Sequence, residues 1–371
     1  MKILLVGTGG FAAGYIKNLL NREDRTVTWA GAVDPFITPE NKALLAENNI
    51  PVFDSMEEYY VNHTADLTII CTPTYLHREQ CIYALSKGSN VLCEKPLAPT
   101  EEDGRAMREA EKKYGKFIAI GFQWCYAKAI LALKQDIMDG VLGKPLSLKT
   151  IVRWPRDLAY FGRSTGWAGS IMRNGKLVLD SIASNACAHY LQNMLFVLGN
   201  KIDESAVVAK LEGNCLRANA IENFDTCTLR MKTEEGVKLY FAAAHPVEAQ
   251  CNPIFEYRFE KATVTYAAAK GATIHARFTD GTEKDYGDPS GAADFRKIWD
   301  CVAAIRSGTT PTCTVKTALP HTMCIEKVYR EIPITDFPQV AFNEEKQRRE
   351  VPGLFEKLYE AYREEKLLEE V

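Results

Sequence analysis

Three small residues near the N-terminus, Gly7, Gly9 and Ala12, stand in the spacing G-x-G-x-x-A, with Gly10 and Phe11 completing the turn. Placed directly after an apolar run (2–7) and at the start of a helical pattern, that spacing has a physical use. The first glycine permits a tight turn, the second lets backbone approach a pyrophosphate, and Ala12 keeps helix and strand close. The free N–H groups and the dipole at the helix start then favour an anion. Asp34 ends the next apolar run, where a carboxylate accepts hydrogen bonds from ribose hydroxyls and repels a 2′-phosphate. No Arg or Lys occurs at 35–41, so the pattern predicts NAD rather than NADP. Without a ligand, the same residues would be a plain tight turn and a turn residue before Pro35.

Lys95 follows Glu94 and precedes Pro96 at the end of another apolar run, where ligands bind in open α/β sheets. Taken alone, a lysine at a strand end is more often a surface residue. The loop at 152–167 holds Arg153, Trp154, Arg156, Tyr160, Phe161, Arg163 and Trp167. Such a mix can stack on sugar faces and bond to hydroxyls or an acidic group, and it reads equally as a packing loop. Gln123 is a weaker candidate beside the cofactor, as are Tyr126 and His245 beside the substrate; for these a structural role reads better.

These residues need elements to position them. The first third alternates short apolar runs (2–7, 26–34, 65–72, 89–95, 116–122) with amphipathic stretches, the pattern of β-α-β units and a parallel sheet. A helix is predicted from about 10 to 20, and glycine ends two of the later ones. After Trp124 the texture changes to one helix near 129–140, a strand-like 146–154, a helix through 185–199, and several strand-like runs joined by short loops. Hairpins and a largely antiparallel sheet follow from that spacing. Two helices (295–308 and 318–332) and a charged amphipathic helix at the C-terminus complete the pattern, the last with an apolar stripe of Leu354, Phe355, Leu358 and Tyr362. The expectation is an α/β chain. A doubly wound NAD-binding domain occupies 1–122, an α+β substrate domain with a large, mostly antiparallel, open-faced sheet occupies 123–330, and a terminal segment at 331–371 packs back on the body.

At 371 residues, two domains are the natural prior. A net charge of -3 with no basic stripe excludes a phosphate-backbone binder, so no nucleic-acid partner is expected. The eleven cysteines are scattered singly, so no zinc spacing or redox pair can be read and no metal is expected. The apolar start is broken by glycines and followed at once by NREDR, unlike a signal peptide, which predicts a cytoplasmic protein without a membrane span.

The sequence resembles the Gfo/Idh/MocA family, named for glucose-fructose oxidoreductase, inositol dehydrogenase and a rhizopine catabolism protein. The carriers are GTGGFA at the N-terminus, CTPTYLH (71–77), CEKPLA (93–98), IGFQWCY (120–126), the VLGKP turn near Gly143, and the helix with Asn185 and His189. The resemblance extends over nearly the whole chain. It implies that Thr72, Pro73, Thr74 and His77 border the nicotinamide ribose, and that Glu94 and Lys95 sit at its ring end beside the substrate. It also implies a cis bond before Pro96, aiming Lys95 at the reacting centre. The family's D-x-G-x-H motif is altered here: His189 keeps its place, but Asn185 stands where Asp is usual and Cys187 where Gly is usual. Four residues apart on a predicted helix, Asn185 and His189 would share one face. Asp180 is a nearby carboxylate, though its spacing does not fit the motif. Read without the resemblance, His189 is as well a satisfied core histidine.

Oxidising a secondary alcohol requires a base and a positive charge near the developing alkoxide. On the resemblance, His189 takes the proton, Lys95 stabilises the alkoxide or relays the proton, and Asn185 orients a neighbouring hydroxyl. The reverse assignment of base stays open. The expected reaction is hydride transfer between NAD and a secondary alcohol carbon of a sugar, glycoside or polyol, in a homodimer or homotetramer paired through the open sheet face. Two alternatives stand beside it. One is an NAD-dependent glycosidase working by transient oxidation and elimination; the other is an NAD-binding sensor or regulator without turnover.

Overall fold

The computed structural model describes residues 1–163, 166–290 and 293–371, so Ser164 and Thr165 of the aromatic loop lie outside the described residues. The chain divides into two compact units, Met1–Tyr126 with Ala292–Leu319, and Ala127–Gly291 with Pro320–Val371.

The first unit opens with β1 (Lys2–Val6), α1 (Ala12–Leu20), β2 (Thr28–Val33), α2 (Pro39–Glu47), β3 (Val52–Phe53), α3 (Met56–Asn62), β4 (Leu67–Ile70), α4 (His77–Ser86), β5 (Asn90–Cys93), α5 (Glu101–Tyr114) and β6 (Ile118–Ile120). The strands form one sheet in the order β3-β2-β1-β4-β5-β6, every pair parallel. This is the doubly wound order whose direction reverses between β1 and β4. Every residue of β4 and β5 is buried, because a parallel sheet has helices on both faces. That explains why these strands read as continuous apolar runs. β3 was not expected: two half-buried residues at a sheet edge leave no pattern to read.

The second unit holds α6 (Lys128–Met138), β7 (Pro145–Arg153), the short α7 (Leu158–Gly162), the ribbon β8 (Met172–Arg173) and β9 (Lys176–Leu177), and α8 (Ala188–Val197). Then follow β10 (Val208–Arg217), β11 (Thr226–Thr233), β12 (Lys238–Ala244), β13 (Cys251–Phe259), β14 (Ala262–Ala267), β15 (Ile274–Phe278) and β16 (Glu283–Gly287). The helix predicted over 185–199 is not continuous. Ile182–Ala186 form a π turn, Cys187 sits outside helical geometry (φ -104°, ψ 9°), and α8 starts afresh at Ala188. Asn185 and His189 therefore do not stand four apart on one α-helix.

The chain continues with α9 (Ala293–Ser307), α10 (Val315–Glu331), β17 (Ile334–Asp336), the ribbon β18 (Ala341–Asn343) and β19 (Arg348–Glu350), and α11 (Leu354–Glu364). α9 belongs to the first unit rather than, as the sequence reading had it, to the second. Its Ile298, Cys301, Val302 and Ala304 share a core with Ile3, Leu5, Ile69 and Leu92. The amide of Ile120 donates to the Cys313 carbonyl at 2.8 Å, so the segment before α10 satisfies the outer edge of β6.

β17 joins the large sheet, whose order is β16-β15-β14-β13-β7-β12-β11-β10-β17. All its pairings are antiparallel except β12 with β7 and β10 with β17. The sheet is not open along its centre. α11 lays Leu354, Leu358 and Tyr362 on Ile151 of β7 and on Tyr240, Ala242 and Ala244 of β12. Among the described residues, no helix is long and apolar enough to cross a membrane, and no group of three His, Cys, Asp or Glu is placed to hold a metal ion.

Candidate active site

Gly7 has φ +86°, and a Cβ there would lie 2.4 Å from the Cys71 carbonyl oxygen, so the turn between β1 and α1 requires glycine. A Cβ on Gly9 would meet nothing within 4 Å, which leaves the backbone open on that side. α1 begins without a side-chain cap and without an acid in its first turn, so its start is left for an outside anion. Asp34 closes the other side of the turn. Its Oδ2 accepts from the Thr8 amide at 2.8 Å and the Thr8 hydroxyl at 2.6 Å, while Oδ1 accepts from the Phe36 amide at 2.9 Å. A carboxylate so fixed can still accept from ribose hydroxyls, and Phe36, 84% exposed, offers a bare ring two residues on. The residues present therefore fit an adenine dinucleotide without a 2′-phosphate.

His77 is not at a ligand-facing position. It is buried, with Nδ1 2.9 Å from the Pro96 carbonyl oxygen and Nε2 2.9 Å from that of Thr72, so it braces the ends of β4 and β5 against each other. Burial pushes its pKa down, although the surrounding carbonyls pull the other way. Thr72 donates to Gln80 Oε1 at 2.5 Å, Pro73 precedes a tight turn, and Thr74 is buried as the first residue of that turn. The Lys95–Pro96 bond is cis.

Glu94 and Lys95 part ways. Glu94 is 6% exposed; its Oε1 accepts from the Tyr15 hydroxyl at 2.5 Å and pairs with the ammonium of Lys297 on α9, which is itself wholly buried. Burial alone would push this carboxyl up, but Lys297 and the Tyr15 hydroxyl more than offset it and hold it below the ordinary value. Gly121 makes the room, because a Cβ there would lie 2.8 Å from Glu94 Oε1. The second oxygen, Oε2, accepts from the Lys95 amide at 3.2 Å, so the buried pair fixes the backbone from which Lys95 projects. Lys95 itself is half-buried. The rings of Phe11, Tyr15 and Phe295 surround the Lys297 ammonium at 4.9, 5.3 and 5.8 Å. Sequence reasoning missed Tyr15 and Lys297. A signal existed: Lys297 stands on the same stripe of α9 as the buried Cys301 and Ala304.

Gln123 is half-buried in a short turn, and Tyr126 is a core residue: fully buried, with its hydroxyl donating to the Ile120 carbonyl at 3.0 Å. Neither the burial nor the bonding of Tyr126 leaves it a substrate-facing group.

The second unit gathers most of its candidates. Asn185 Nδ2 donates to Asp180 Oδ1 at 2.7 Å, and Asp180 Oδ2 accepts from the Gly169 amide at 2.7 Å. The π turn that carries Asn185 is set by a reciprocal cap, Ser184 amide to Ser181 hydroxyl (3.1 Å) and Ser181 amide to Ser184 hydroxyl (2.8 Å). A carboxylate thus lies next to the position where the resemblance expects one, but it arrives from upstream. His189 lies in the first turn of α8, beside Tyr190, whose ring meets Trp154 edge-on at 5.5 Å. Tyr160 is packed by Arg163 and Arg156; its hydroxyl is pushed up, first by burial, with the negative charge of Asp180 adding and the two arginines opposing. His245 lies 5.6 Å from the Tyr160 ring, with Nδ1 2.7 Å from the Trp154 carbonyl oxygen; burial takes its pKa down to about 3, so it is neutral. Arg153 turns away to hold α11, donating to the Phe355 carbonyl at 2.7 Å with its guanidinium 3.6 Å over the Phe355 ring. Sequence reasoning had grouped Arg153 with the substrate; its neighbours make it a packing residue.

Residues 1–122 match the family model described as "Oxidoreductase family, NAD-binding Rossmann fold", GFO_IDH_MocA. Over 151 residues the chain is 33% identical to the D-glucoside 3-dehydrogenase of Escherichia coli K12, covering 41% of each. Over 300 residues it is 26% identical to the inositol 2-dehydrogenase of Arthrobacter sp. FB24, covering 77% of this chain and 81% of that protein. Four of the curated relatives it matches share 30% identity or more, and the chain spans only about two fifths of their length. The fold matches the WlbA dehydrogenase of Chromobacterium violaceum, solved with NADH and UDP-GlcNAcA, with a TM-score of 0.72 at 21% identity over 89% of this chain and 93% of that one. With the glycine turn, the strand order and the Glu94-Lys95-Pro96 segment in place, residues 1–122 form an NAD-binding Rossmann domain similar to that of the Gfo/Idh/MocA oxidoreductases.

Proposed function

We propose that the protein is an NAD-dependent dehydrogenase acting on a secondary alcohol of a sugar, glycoside or polyol. The observation that carries this reading is the β1–α1 turn, with its obligatory Gly7, open Gly9 and Asp34 clamp, in the same unit as a lysine fixed at the carboxyl end of β5. NAD, when bound, accepts a hydride from the alcohol carbon. What this chain must supply is a place for the proton and a charge against the developing alkoxide. We assign the positive charge to Lys95 and the proton to His189, with Asn185, itself held by Asp180, orienting a hydroxyl. Asp180 restores a negative charge beside the position where Asn185 replaces the usual acid. The relatives' names, D-glucoside and inositol dehydrogenases, support an alcohol-bearing ring as substrate. The eleven cysteines, all unbridged, support a reducing, cytoplasmic setting.

The test is Lys95→Ala. Its turnover is expected to fall by about 10²–10⁴-fold while NAD affinity stays within a few-fold of the parent. Near-normal turnover in that variant would remove the assignment. NADH accumulating in equal amount to product separates this reaction from a redox-neutral cleavage, in which the cofactor is restored each cycle.

A further inference from the structure

We infer that the substrate carries an anionic group, a carboxylate or a phosphate, and that Arg156 and Arg163 bind it; this rests on reading the second unit as the substrate unit. The two guanidinium groups belong to an alternating stack. Arg156 lies 5.5 Å from the Trp154 ring and 4.8 Å from that of Tyr160, and Arg163 lies 3.6 Å from Tyr160 and 5.3 Å from Trp167. One tyrosine ring therefore holds two cations. Arg156 Nη1 donates to the Pro155 carbonyl at 3.4 Å and Arg163 Nη1 to that of Tyr160 at 2.7 Å, and the Arg163 guanidinium also bonds the Tyr160 hydroxyl, so none of these partners is an acid. Arg156 Nε is buried with no hydrogen-bond partner.

Several other arginines are paired with acids. Arg78, Arg105, Arg217, Arg230 and Arg258 each pair with a carboxylate between 2.5 and 2.9 Å. Among the described residues, no acid pairs with Arg156 or Arg163. Two half-buried cations on one ring repel each other and are partly desolvated, and ring faces compensate only in part. An incoming oxyanion would supply the missing charge and could be gripped by the planar guanidinium fork. His245, neutral and tied to the Trp154 carbonyl, adds no competing charge. The flanking Trp154 and Trp167 rings, at the two ends of the stack, are the aromatic surfaces nearest the two cations. An aromatic floor under unpaired arginines suits an acidic sugar better than a neutral one.

The experiment titrates the full-length protein, saturated with NAD, with matched probes while following tryptophan fluorescence: D-glucose, D-glucuronate and D-glucose 6-phosphate. At least one anion is expected to bind ten-fold or more tightly than D-glucose, with affinity falling as salt rises. Glucuronate and the phosphate ester tell the two anion sources apart. Arg156→Gln and Arg163→Gln should each remove most of that preference, Arg163→Lys should keep part of it, and NAD affinity should be unchanged in all three. Equal binding of the neutral and anionic probes, binding of neither anion, or a preference that survives both glutamine variants would overturn the inference. Failure of NAD itself to bind would instead sink the dehydrogenase reading, and an arginine-dependent anion preference would then stand without it.

Discussion

Lys297 and Glu94 form a fully interior ion pair, and a pair of that kind is far more costly to break than to replace. Lys297→Met leaves Glu94 buried without its cation and is expected to destabilise the fold by about 3–5 kcal/mol in chemical denaturation at neutral pH. The double variant with Glu94→Gln should recover a large part of that loss. The pH dependence has a definite sign. The native carboxyl lies below its ordinary value of 4.5, so its contribution is present above that pH and lost as pH falls through the lower native value. In Lys297→Met, burial acts with little opposition and raises the native value, so the sign reverses and the variant loses stability as pH rises through the carboxylate range. A denaturation profile from pH 4 to 8 with parallel curves for parent and variant would contradict this account. Because Glu94 Oε2 holds the Lys95 amide, Lys297→Met should also lower turnover. None of this was readable as a pair from the sequence, since 203 positions separate the partners. Only the presence of a lysine on an apolar stripe was visible, and an apolar stripe does not say which acid it faces.

At the scale of elements, the inner strands of the first unit were legible because strands such as β4 and β5 are buried on both faces and so are written in unbroken apolar residues, whereas the edge strand β3 was not. The break before α8 was not. The residues from 182 to 197 all tolerate a helix, and what stops it is the Ser181–Ser184 cap together with the grip of Asp180 on Asn185. Those are side-chain contacts, which periodicity does not encode. The return of α9 to the first unit was hidden for a related reason: chain order favours neighbours, but the edge of β6 needed a partner and found it after residue 312. The join between α5 and β6 carries its own consequence. Glu111, in the last turn of α5, accepts from the Ile118 amide at 2.7 Å, yet burial raises its carboxyl to about 7. An acid whose native value is raised favours the fold below its unfolded value near 4.5 and loses that benefit as pH climbs through the native one. Glu111→Gln keeps an oxygen for the amide and carries no charge. It is expected to gain about 1–2 kcal/mol over the parent at pH 8 and nothing at pH 4, read from urea midpoints at both pH values. A gain of equal size at both would show that titration of Glu111 is not the cause.

For the molecule as a whole, the face of the nine-stranded sheet expected to be open for pairing is occupied by the chain's own end. α11 and the residues after it are tied down at every turn. Arg153 donates to the Phe355 carbonyl at 2.7 Å, the Tyr240 hydroxyl to that of Lys366 at 2.7 Å, and the Leu368 amide to the Thr228 hydroxyl at 3.2 Å. Arg230 grips both oxygens of Glu370, at 3.1 and 2.9 Å, and Arg258 reaches Glu365 at 2.5 Å. Beneath them Leu354, Leu358 and Tyr362 bury against Ile151, Tyr240, Ala242 and Ala244. A second copy seated on that part of the sheet would have to displace this helix, losing both its apolar contacts and its hydrogen bonds, so the intact chain is expected not to associate through the β7–β12 face. Removing residues 353–371 uncovers an apolar surface with no replacement, and such surfaces drive association. Sedimentation should then show the truncated chain forming larger species at concentrations where the full chain does not change its state. Leu358→Asp tests the same seam without deletion. A charge in place of a fully buried leucine should loosen α11 and cost at least the 2–5 kcal/mol typical of a core truncation, with the same tendency to associate. If the truncated chain and Leu358→Asp both sediment as the full chain does while remaining folded by near-ultraviolet circular dichroism, the sheet face does not depend on α11 for its protection.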